Sequence, residues 1–206
     1  MTPKDEHAAA LAAALERGAA PGMMPVHRWY LRHDAPWTIE PPPAPEGVAL
    51  IEAKGCTPAF YRFLYGEVGR DWLWFGMNTL DDDALTARLV ESTREVHVAH
   101  LAGTPAGFVE IDHAPADATE MAYVGLMPHA AGRGLGGWMF ATACARAVAR
   151  RALPLTINTC TLDSPGGLVL YRRAGFVVVR EIDFEDPDPR ATGLSPPHVA
   201  PHVPRF

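Results

Sequence analysis

A glycine-rich segment past the middle of the chain carries the most specific chemical signal in the sequence. It joins an apolar stretch to a helix-forming stretch and reads Leu126-Met127-Pro128-His129-Ala130-Ala131-Gly132-Arg133-Gly134-Leu135-Gly136-Gly137. Glycines let a backbone approach a ligand closely, and the first turn of the following helix presents unpaired N–H groups at a positive dipole end. Such a turn binds a pyrophosphate without a basic protein surface, and Arg133 adds one cation. The segment therefore predicts a binding site for a pyrophosphate-bearing molecule.

The same glycines also satisfy a second pattern. Gly132, Gly134 and Gly137 match the GxGxxG sequence of dinucleotide-binding folds. In dinucleotide-binding folds, an acidic residue about 20 residues after the last glycine binds the ribose. This sequence has Ile157 there, so the context of that fold is missing. A phosphate loop of the Walker type is excluded as well, since no Lys-Ser/Thr pair follows the last glycine. A nicotinamide-dependent oxidoreductase therefore rests on the literal match alone.

The elements that must position this turn follow from hydrophobic periodicity and turn residues. The predicted helices cover residues 3–17, 58–69, 81–92 and 134–150, with a short helix that begins at Asp163 or Ser164 and ends at Gly175. The predicted strands cover residues 26–32, 48–53, 95–101, 106–112, 119–126, 155–161 and 176–184. Residues 34–47 hold five prolines, which exclude a regular helix or strand there.

Length and composition predict one α/β domain with extensions. The predicted division of the 206 residues is a helical extension at 1–20, the domain at 21–185 and a Pro/His-rich tail at 186–206 without core-forming periodicity. A net charge of −6 argues against a nucleic-acid partner. Three scattered cysteines predict neither a disulfide framework nor a metal site and indicate a reducing, cytoplasmic setting. The apolar runs are too short to span a membrane.

Two stretches resemble signatures of the GNAT family of acyl-CoA N-acyltransferases. The first, Val124-Gly125-Leu126-Met127-Pro128 through Gly132-Arg133-Gly134-Leu135-Gly136, is similar to the family's strand followed by Arg/Gln-x-x-Gly-x-Gly/Ala. The second, Asp163-Ser164-Pro165 through Leu170-Tyr171-Arg172-Arg173-Ala174-Gly175-Phe176, is similar to its Asn-x-x-Ala-x-x-Leu-Tyr-x-x-x-Gly-Phe. The element order over residues 48–184 is also similar. The resemblance implies a mixed, mostly antiparallel sheet that is flanked by helices and splayed at the coenzyme-binding strand.

This resemblance implies an N-acetyltransferase that transfers an acetyl group from acetyl-CoA to a primary amine by direct attack. The pantetheine arm would enter the gap between the splayed strands, and a backbone N–H near Gly125 or Leu126 would stabilise the oxyanion. The implied coenzyme-binding residues are Leu126, Met127, Gly132, Arg133, Gly134, Leu135, Gly136, Gly137 and Ser164. The sequence departs from the family pattern at Ala131, Ser164 and Gly167, so backbone amides and Arg133 must hold the pyrophosphate.

Direct attack requires a neutral amine, and only about one amine in 2,500 is neutral at pH 7. A general base must therefore accept a proton. Glu120 matches the position of the catalytic glutamate in the histone-acetyltransferase branch of the family, and Glu110 is a second candidate base. Strand alternation, unless a bulge interrupts it, places Glu120 on one face with Val124 and Leu126. Tyr171 matches the tyrosine that serves the family as the acid for the leaving thiolate.

The acceptor is expected to be a small-molecule or protein amine, with no nucleic acid and no membrane as partner, and a homodimer is compatible with the resemblance. The acidic balance of the chain favours a cationic amine. The residues expected to contact it are Tyr61, Tyr65, Trp72, Trp74 and the loop at 113–118. The alternative function is a GNAT-fold module that binds acyl-CoA without turnover, which the departures at Ala131 and Ser164 keep open.

Overall fold

The computed structural model of the chain describes residues 2–151 and 154–206. Its α-helices are α1 (Pro3–Arg17), α2 (Pro58–Gly69), α3 (Asp82–Leu89), α4 (Leu135–Arg150) and α5 (Pro165–Arg173). Its strands are β1 (Met23–His33), β2 (Val48–Glu52), β3 (Arg94–Leu101), β4 (Thr104–Asp112), β5 (Thr119–Leu126), β6 (Leu155–Cys160) and β7 (Val177–Pro187). The predicted ends differ from these by three residues or fewer.

The strands form one seven-stranded sheet in the order β2-β3-β4-β5-β6-β1-β7. The pairs β2–β3, β3–β4, β4–β5 and β1–β7 are antiparallel, whereas β5 and β6 run parallel. This confirms the predicted fold class, a mixed and mostly antiparallel sheet flanked by helices. Among the described residues, no helix is both long enough and apolar enough to cross a lipid bilayer.

Side-chain caps start three of the helices where the sequence predicts them. The Thr2 hydroxyl accepts from the Asp5 N–H, and the Asp5 carboxylate accepts from the Thr2 N–H, which forms a capping box for α1. Asp81 caps α3 by accepting from the Ala84 N–H at 2.8 Å. Ser164, rather than Asp163, caps α5. Local capping chemistry therefore fixes these three helix starts.

The chain divides into two compact units. Unit 2 comprises His33–Val68 and Leu80–Ile157, and therefore contains the hairpin strands β2 to β5 together with α2, α3 and α4. The inner face of α4 is buried at Leu135, Trp138, Met139, Phe140, Ala141, Ala143, Cys144 and Ala147. This face is the 3.6-residue stripe expected of a helix packed on a sheet.

Unit 1 comprises Met1–Arg32, Gly69–Thr79 and Asn158–Phe206. In it α1 packs on α5, and Arg172 of α5 donates to both carboxylate oxygens of Glu6 at 2.9 and 3.2 Å. The C-terminal tail, which has no core-forming periodicity in its sequence, nevertheless contributes core residues. Val199, Ala200 and Val203 are buried and pack in one cluster with Met24 and Val26 of β1, among others. Periodicity did not reveal them because they lie in irregular chain; the predicted boundaries at residues 20 and 185 stay predictions.

Buried Arg190 holds the tail in its fold. Its guanidinium pairs with the buried Asp188 carboxylate at 2.8 Å and donates to the carbonyl oxygens of Ala200 and Val203 at 3.0 and 2.9 Å. Burial alone would raise the pKa of Asp188, but the hydrogen bonds from Arg190 outweigh it and lower that pKa. One side chain thus satisfies a buried charge and several orphan carbonyls.

We predict that Arg190→Ala destabilises the protein by about 3 kcal/mol or more, because it leaves a buried carboxylate without its counter-charge. Urea unfolding of the variant beside the wild type measures this. Arg173→Ala is the matched control, since Arg173 is exposed on α5 and is expected to have little effect. An Arg190→Ala variant as stable as the control would contradict a stabilising role for the tail.

Candidate active site

The glycine-rich segment forms an open turn in front of α4. A short 3-10 helix at Pro128–Ala130 follows β5, and α4 begins at Leu135. Gly132 and Gly134 have φ of 75° and 77°, a left-handed conformation that favours glycine. No side chain caps the start of α4. The turn therefore leaves the first N–H groups of α4 unpaired at the positive end of its dipole.

The surroundings of this turn leave room for a ligand. Residues 131–134 are exposed, and a Cβ placed on Gly137 would face open space. Leu135 is buried against Ala106 and Ala130, which anchors the base of the turn in unit 2. Within the described part of the chain, the Arg133 guanidinium makes no ion pair. The predicted pyrophosphate-binding residues of the turn thus lie together, with their amides and one cation accessible.

Strand β5 has a free edge on the side of β6. The ladder between the two strands consists of Thr119–Leu155 and Glu120–Thr156, as far as the described residues extend. On the edge of β5 that faces β4, the Met127 N–H donates to the Ala106 carbonyl at 2.8 Å. Leu126 and Gly107, which lie opposite each other, are therefore a non-hydrogen-bonded pair of the ladder. The N–H and C=O of Leu126 therefore point to the free edge.

This geometry separates the residues predicted to supply backbone contacts. Leu126 offers both groups to a ligand, whereas the N–H of Met127 is used by Ala106 and its carbonyl by Ala130. Gly125 pairs with Phe108 in the alternate, hydrogen-bonded position of the ladder, so its N–H faces β4. Of the two predicted oxyanion donors, the Leu126 amide is the available one.

A bulge in β5 changes which side chains share a face. Ile111 pairs with Met121 and Glu110 pairs with Tyr123, so Ala122 is an extra residue. The expectation from strict alternation, that Glu120 lies on one face with Val124 and Leu126, is therefore wrong. Cross-strand partners share a face, which places Glu120 and Tyr123 beside Asp112 and Glu110.

Glu120 is the first candidate base. The side chain is half-buried, and no described residue donates a hydrogen bond to it. Burial, with a further contribution from the charge of Asp112, raises the pKa of Glu120 above its usual value of 4.5. A raised pKa makes a carboxylate a better general base at neutral pH.

Both carboxylate oxygens of Glu110, the second candidate base, accept hydrogen bonds from neighbouring side chains. It is fully buried, and the Tyr61 hydroxyl donates to its Oε2. Arg88 and Arg94 both donate to its Oε1, at 2.6 and 2.8 Å. Burial and the neighbouring Glu110 raise the pKa of Tyr61, so the hydroxyl stays protonated as a donor. Glu110 therefore organises this face of the sheet and is not accessible as a base.

Tyr171 and Ser164 lie in unit 1, on and before α5. Tyr171 is buried and its ring packs near Phe176, with 6.5 Å between the ring centroids. A Cβ on Gly167, one turn earlier, would lie 3.7 Å from the Tyr171 hydroxyl, so the missing side chain leaves space beside that hydroxyl. The Ser164 hydroxyl accepts from the Gly166 N–H at 3.3 Å and is used as a helix cap.

The aromatic residues predicted to contact the acceptor occupy different places. Tyr61 and Tyr65 are buried in unit 2, and Tyr65 packs against Tyr123 with 5.2 Å between the ring centroids. In unit 1, the Trp74 Nε1–H donates to Asp163 at 2.9 Å, and Trp72 packs against the tail at His202. These two tryptophans thus have structural contacts.

Sequence reasoning missed three residues of the candidate site, Arg88, Arg94 and Tyr123. Nothing in the local pattern marks the arginines, because a charge on a helix or strand end is usually solvated. Tyr123 was hidden by the bulge, which no spacing rule reveals. The loop at 113–118 is held by Arg151, which donates to the carbonyls of Pro115 and Ala116 at 2.8 and 2.9 Å.

Metal-ligating side chains and thiols are the remaining reactive groups of the described residues. Across residues 2–151 and 154–206, no three His, Cys, Asp or Glu side chains come together as metal ligands. Cys160 is buried, and burial raises the pKa of its thiol far above the ordinary range. A protonated, buried thiol is a poor nucleophile.

Comparison with known sequences places these features in a family. The sequence model described as "Acetyltransferase (GNAT) family" matches residues 61–176, which is more than half of the chain. That span contains β5, the glycine-rich turn, α4 and α5. No curated protein matches the sequence significantly.

Solved structures share the fold. A GCN5-related N-acetyltransferase from Kribbella flavida has a TM-score of 0.53 at 20% identity, over 87% of this chain and 63% of that one. A GCN5-related N-acetyltransferase from Sphaerobacter thermophilus has a TM-score of 0.59 at 16% identity, over 87% of this chain and 56% of that one. The aminoglycoside N-acetyltransferase AAC(6′)-Iy in complex with CoA has a TM-score of 0.50 at 15% identity, over 69% of this chain and 96% of that one. At these identities the likeness establishes the fold alone, and this chain spans less than two thirds of the first two.

We predict that Glu110→Gln destabilises the protein by about 3 kcal/mol, because it removes the buried charge that Arg88 and Arg94 share. Urea unfolding at pH 8 measures the effect.

Glu120→Gln is the matched control and is expected to be no less stable than the wild type at that pH. Because the folded pKa of Glu120 is raised, its contribution to stability is present below pH 4.5 and is lost as the pH rises through the folded pKa. Equal destabilisation by both substitutions would contradict the different roles assigned to the two glutamates.

Proposed function

Because the chain belongs to the acetyltransferase (GNAT) family, we propose that it transfers an acetyl group from acetyl-CoA to a primary amine. The observation that carries the proposal is a single stretch of chain in unit 2. There the free edge of β5 leads through an exposed glycine-rich turn into the uncapped start of α4. Glu120, a carboxylate without a donor, lies on the same strand.

The backbone of this stretch fits a coenzyme with a diphosphate. Open N–H groups at the start of α4, together with Arg133, suit an anion that carries two negative phosphates. The Leu126 C=O suits an amide N–H of a pantetheine arm, which pairs with a strand edge through main-chain hydrogen bonds, and the Leu126 N–H is left for the thioester oxygen. Without the family's Arg/Gln at Ala131, the proposed site relies on main-chain N–H groups and Arg133.

Glu120 is proposed as the general base. It accepts a proton from the incoming ammonium, and the neutral amine nitrogen then attacks the thioester carbonyl carbon. A C–N bond forms, and the negative charge that develops on the carbonyl oxygen is stabilised by the Leu126 N–H. Collapse of this intermediate breaks the C–S bond.

Tyr171 is proposed as the acid that protonates the departing thiolate. A thiol with a pKa of about 8.5, by analogy with cysteine, leaves more readily when a proton donor is available. The assignment rests on the place of Tyr171 in the Leu170-Tyr171 to Gly175-Phe176 stretch and on the space that Gly167 leaves beside its hydroxyl. The amide nitrogen loses its second proton to solvent after attack. Exchange with solvent then removes the proton from Glu120 and returns one to Tyr171, so that one proton is released per acetyl group transferred.

We predict that Glu120→Gln and Tyr171→Phe each lower kcat by a factor of about 10² or more, the usual contribution of general acid–base groups. Release of free CoA with a panel of primary amines measures this. In the wild type, kcat/KM is expected to fall as the pH is lowered, because Glu120 takes up a proton. The midpoint of this fall is expected at a pH above 4.5, since the pKa of Glu120 is raised.

The matched control is Glu52→Gln, an exposed glutamate of β2, which is expected to leave turnover unchanged. If both catalytic-site variants retain full turnover, or if the wild type binds acetyl-CoA without releasing CoA to any amine, the chain is an acyl-CoA-binding module instead.

A charge placed at the turn tests the coenzyme site. Asn and Asp both tolerate the left-handed conformation at Gly134, so Gly134→Asn and Gly134→Asp differ mainly by one negative charge. We predict that the Asp variant binds CoA at least about tenfold more weakly than the Asn variant, because the carboxylate repels the diphosphate. Isothermal titration calorimetry measures both affinities; equal values would show that the diphosphate binds elsewhere.

A further inference from the structure

The face of β5 that carries Glu120 has an unbalanced charge. The ion-pair network on this face holds the carboxylates of Glu91, Glu110 and Asp112 and the guanidiniums of Arg88 and Arg94, and Glu120 lies beside it as the cross-strand partner of Asp112. Four negative groups against two positive groups leave an excess of two negative charges when Glu120 is ionised. Buried or half-buried charge of one sign needs a compensating partner.

The two arginines are committed to the inner part of the network. Arg94 is almost fully buried and contacts Glu110 at 2.8 Å, Asp112 at 3.0 Å and Glu91 at 3.1 Å. Arg88 donates to Glu110 at 2.6 Å. Glu110 is thereby neutralised, while Asp112 shares one guanidinium with two other carboxylates and Glu120 has no cation in contact.

The excess charge is concentrated at the cross-strand pair of Asp112 and Glu120. These residues lie directly opposite each other on β4 and β5 and share one face. The Asp112 side chain is 13% exposed, so it is not sealed inside the sheet. The carboxylate also accepts from the Ala114 N–H at 2.8 Å, which fixes its orientation.

Because of the bulge, an aromatic ring lies on the same face as this pair. The register places Tyr123 on the same face as Glu120, and Tyr65 packs edge-to-face against its ring. An aromatic face beside carboxylates attracts an organic cation. The partial burial of Asp112 and Glu120 favours a slender aliphatic chain over a bulky group.

We propose that the acceptor is a small aliphatic amine that carries a second positive charge, and that Asp112 is the residue that selects it. The proposal rests on the proposed acetyl transfer. One amino group reaches Glu120, loses its proton and is acetylated. The second ammonium remains charged and pairs with Asp112, beside the ring of Tyr123. An acceptor that carries a carboxylate is disfavoured, because it would add a negative charge to a face that already has two in excess.

Three acceptors of equal chain length test the proposal with saturating acetyl-CoA: 1,5-diaminopentane, pentylamine and 5-aminopentanoate. They differ at one end, which is cationic, apolar or anionic. We expect kcat/KM for the diamine to exceed that for pentylamine by about tenfold or more, as one ion pair in a partly buried site provides. We expect 5-aminopentanoate to be the poorest acceptor of the three.

Asp112→Asn connects the preference to the residue. The variant is expected to lose most of the preference for the diamine over pentylamine, measured as the ratio of the two kcat/KM values. It is also expected to move the acid limb of the pH profile to lower pH, since the charge of Asp112 contributes to raising the pKa of Glu120. Asp83→Asn, an exposed aspartate of α3, is the matched control and should change neither readout.

The outcomes separate this proposal from the function on which it rests. Turnover of pentylamine or 5-aminopentanoate that equals or exceeds that of the diamine, still abolished by Glu120→Gln, overturns the acceptor class alone. A diamine preference that survives in Asp112→Asn overturns the role of Asp112. Absence of CoA release with all three acceptors and with a wider amine panel overturns the acetyl transfer itself.

Discussion

One extra residue in β5 decides which groups the candidate site can use. Without the bulge at Ala122, Gly107 would lie opposite Gly125, and the Gly125 amide would face the free edge. With it, Leu126 takes that place, and Tyr123 joins Glu120 on the face of Glu110. The close approach of β4 to β5 supports this register, since a Cβ on Gly107 would lie 2.4 Å from the Gly125 carbonyl oxygen. The amide proposed to face the thioester and the aromatic ring beside the proposed base thus depend on one register shift.

The buried network around Glu110 explains why this face keeps its geometry. A fully buried carboxylate is costly unless donors satisfy it, and here Tyr61, Arg88 and Arg94 do so. These donors come from α2, α3 and β3, so the network ties three elements of unit 2 to β4. Rigid surroundings hold the neighbouring Glu120 half-desolvated without giving it a donor, which is what a general base requires.

The sequence predicts the elements well and the site in part, for physical reasons. Hydrophobic periodicity, the caps at Thr2 and Asp81, and the glycines of the turn are local signals, and local signals place helix and strand ends. The bulge at Ala122 and the arginines around Glu110 depend on strands and helices that are distant in sequence, so no spacing reveals them. The buried tail residues around Arg190 were missed for the same reason.

Main-chain contacts explain how the proposed coenzyme site can depart from the family pattern. When a phosphate is bound by a side chain, loss of that side chain removes the contact. When backbone amides bind the phosphate, replacing the family's Arg or Gln with alanine, as at Ala131, leaves the amides in place. Side chains then matter most at the acceptor end, where Asp112, Glu120 and Tyr123 gather on one face. The coenzyme end of such a site is set by backbone shape, and the acceptor end by charge, so the two ends can change independently in sequence.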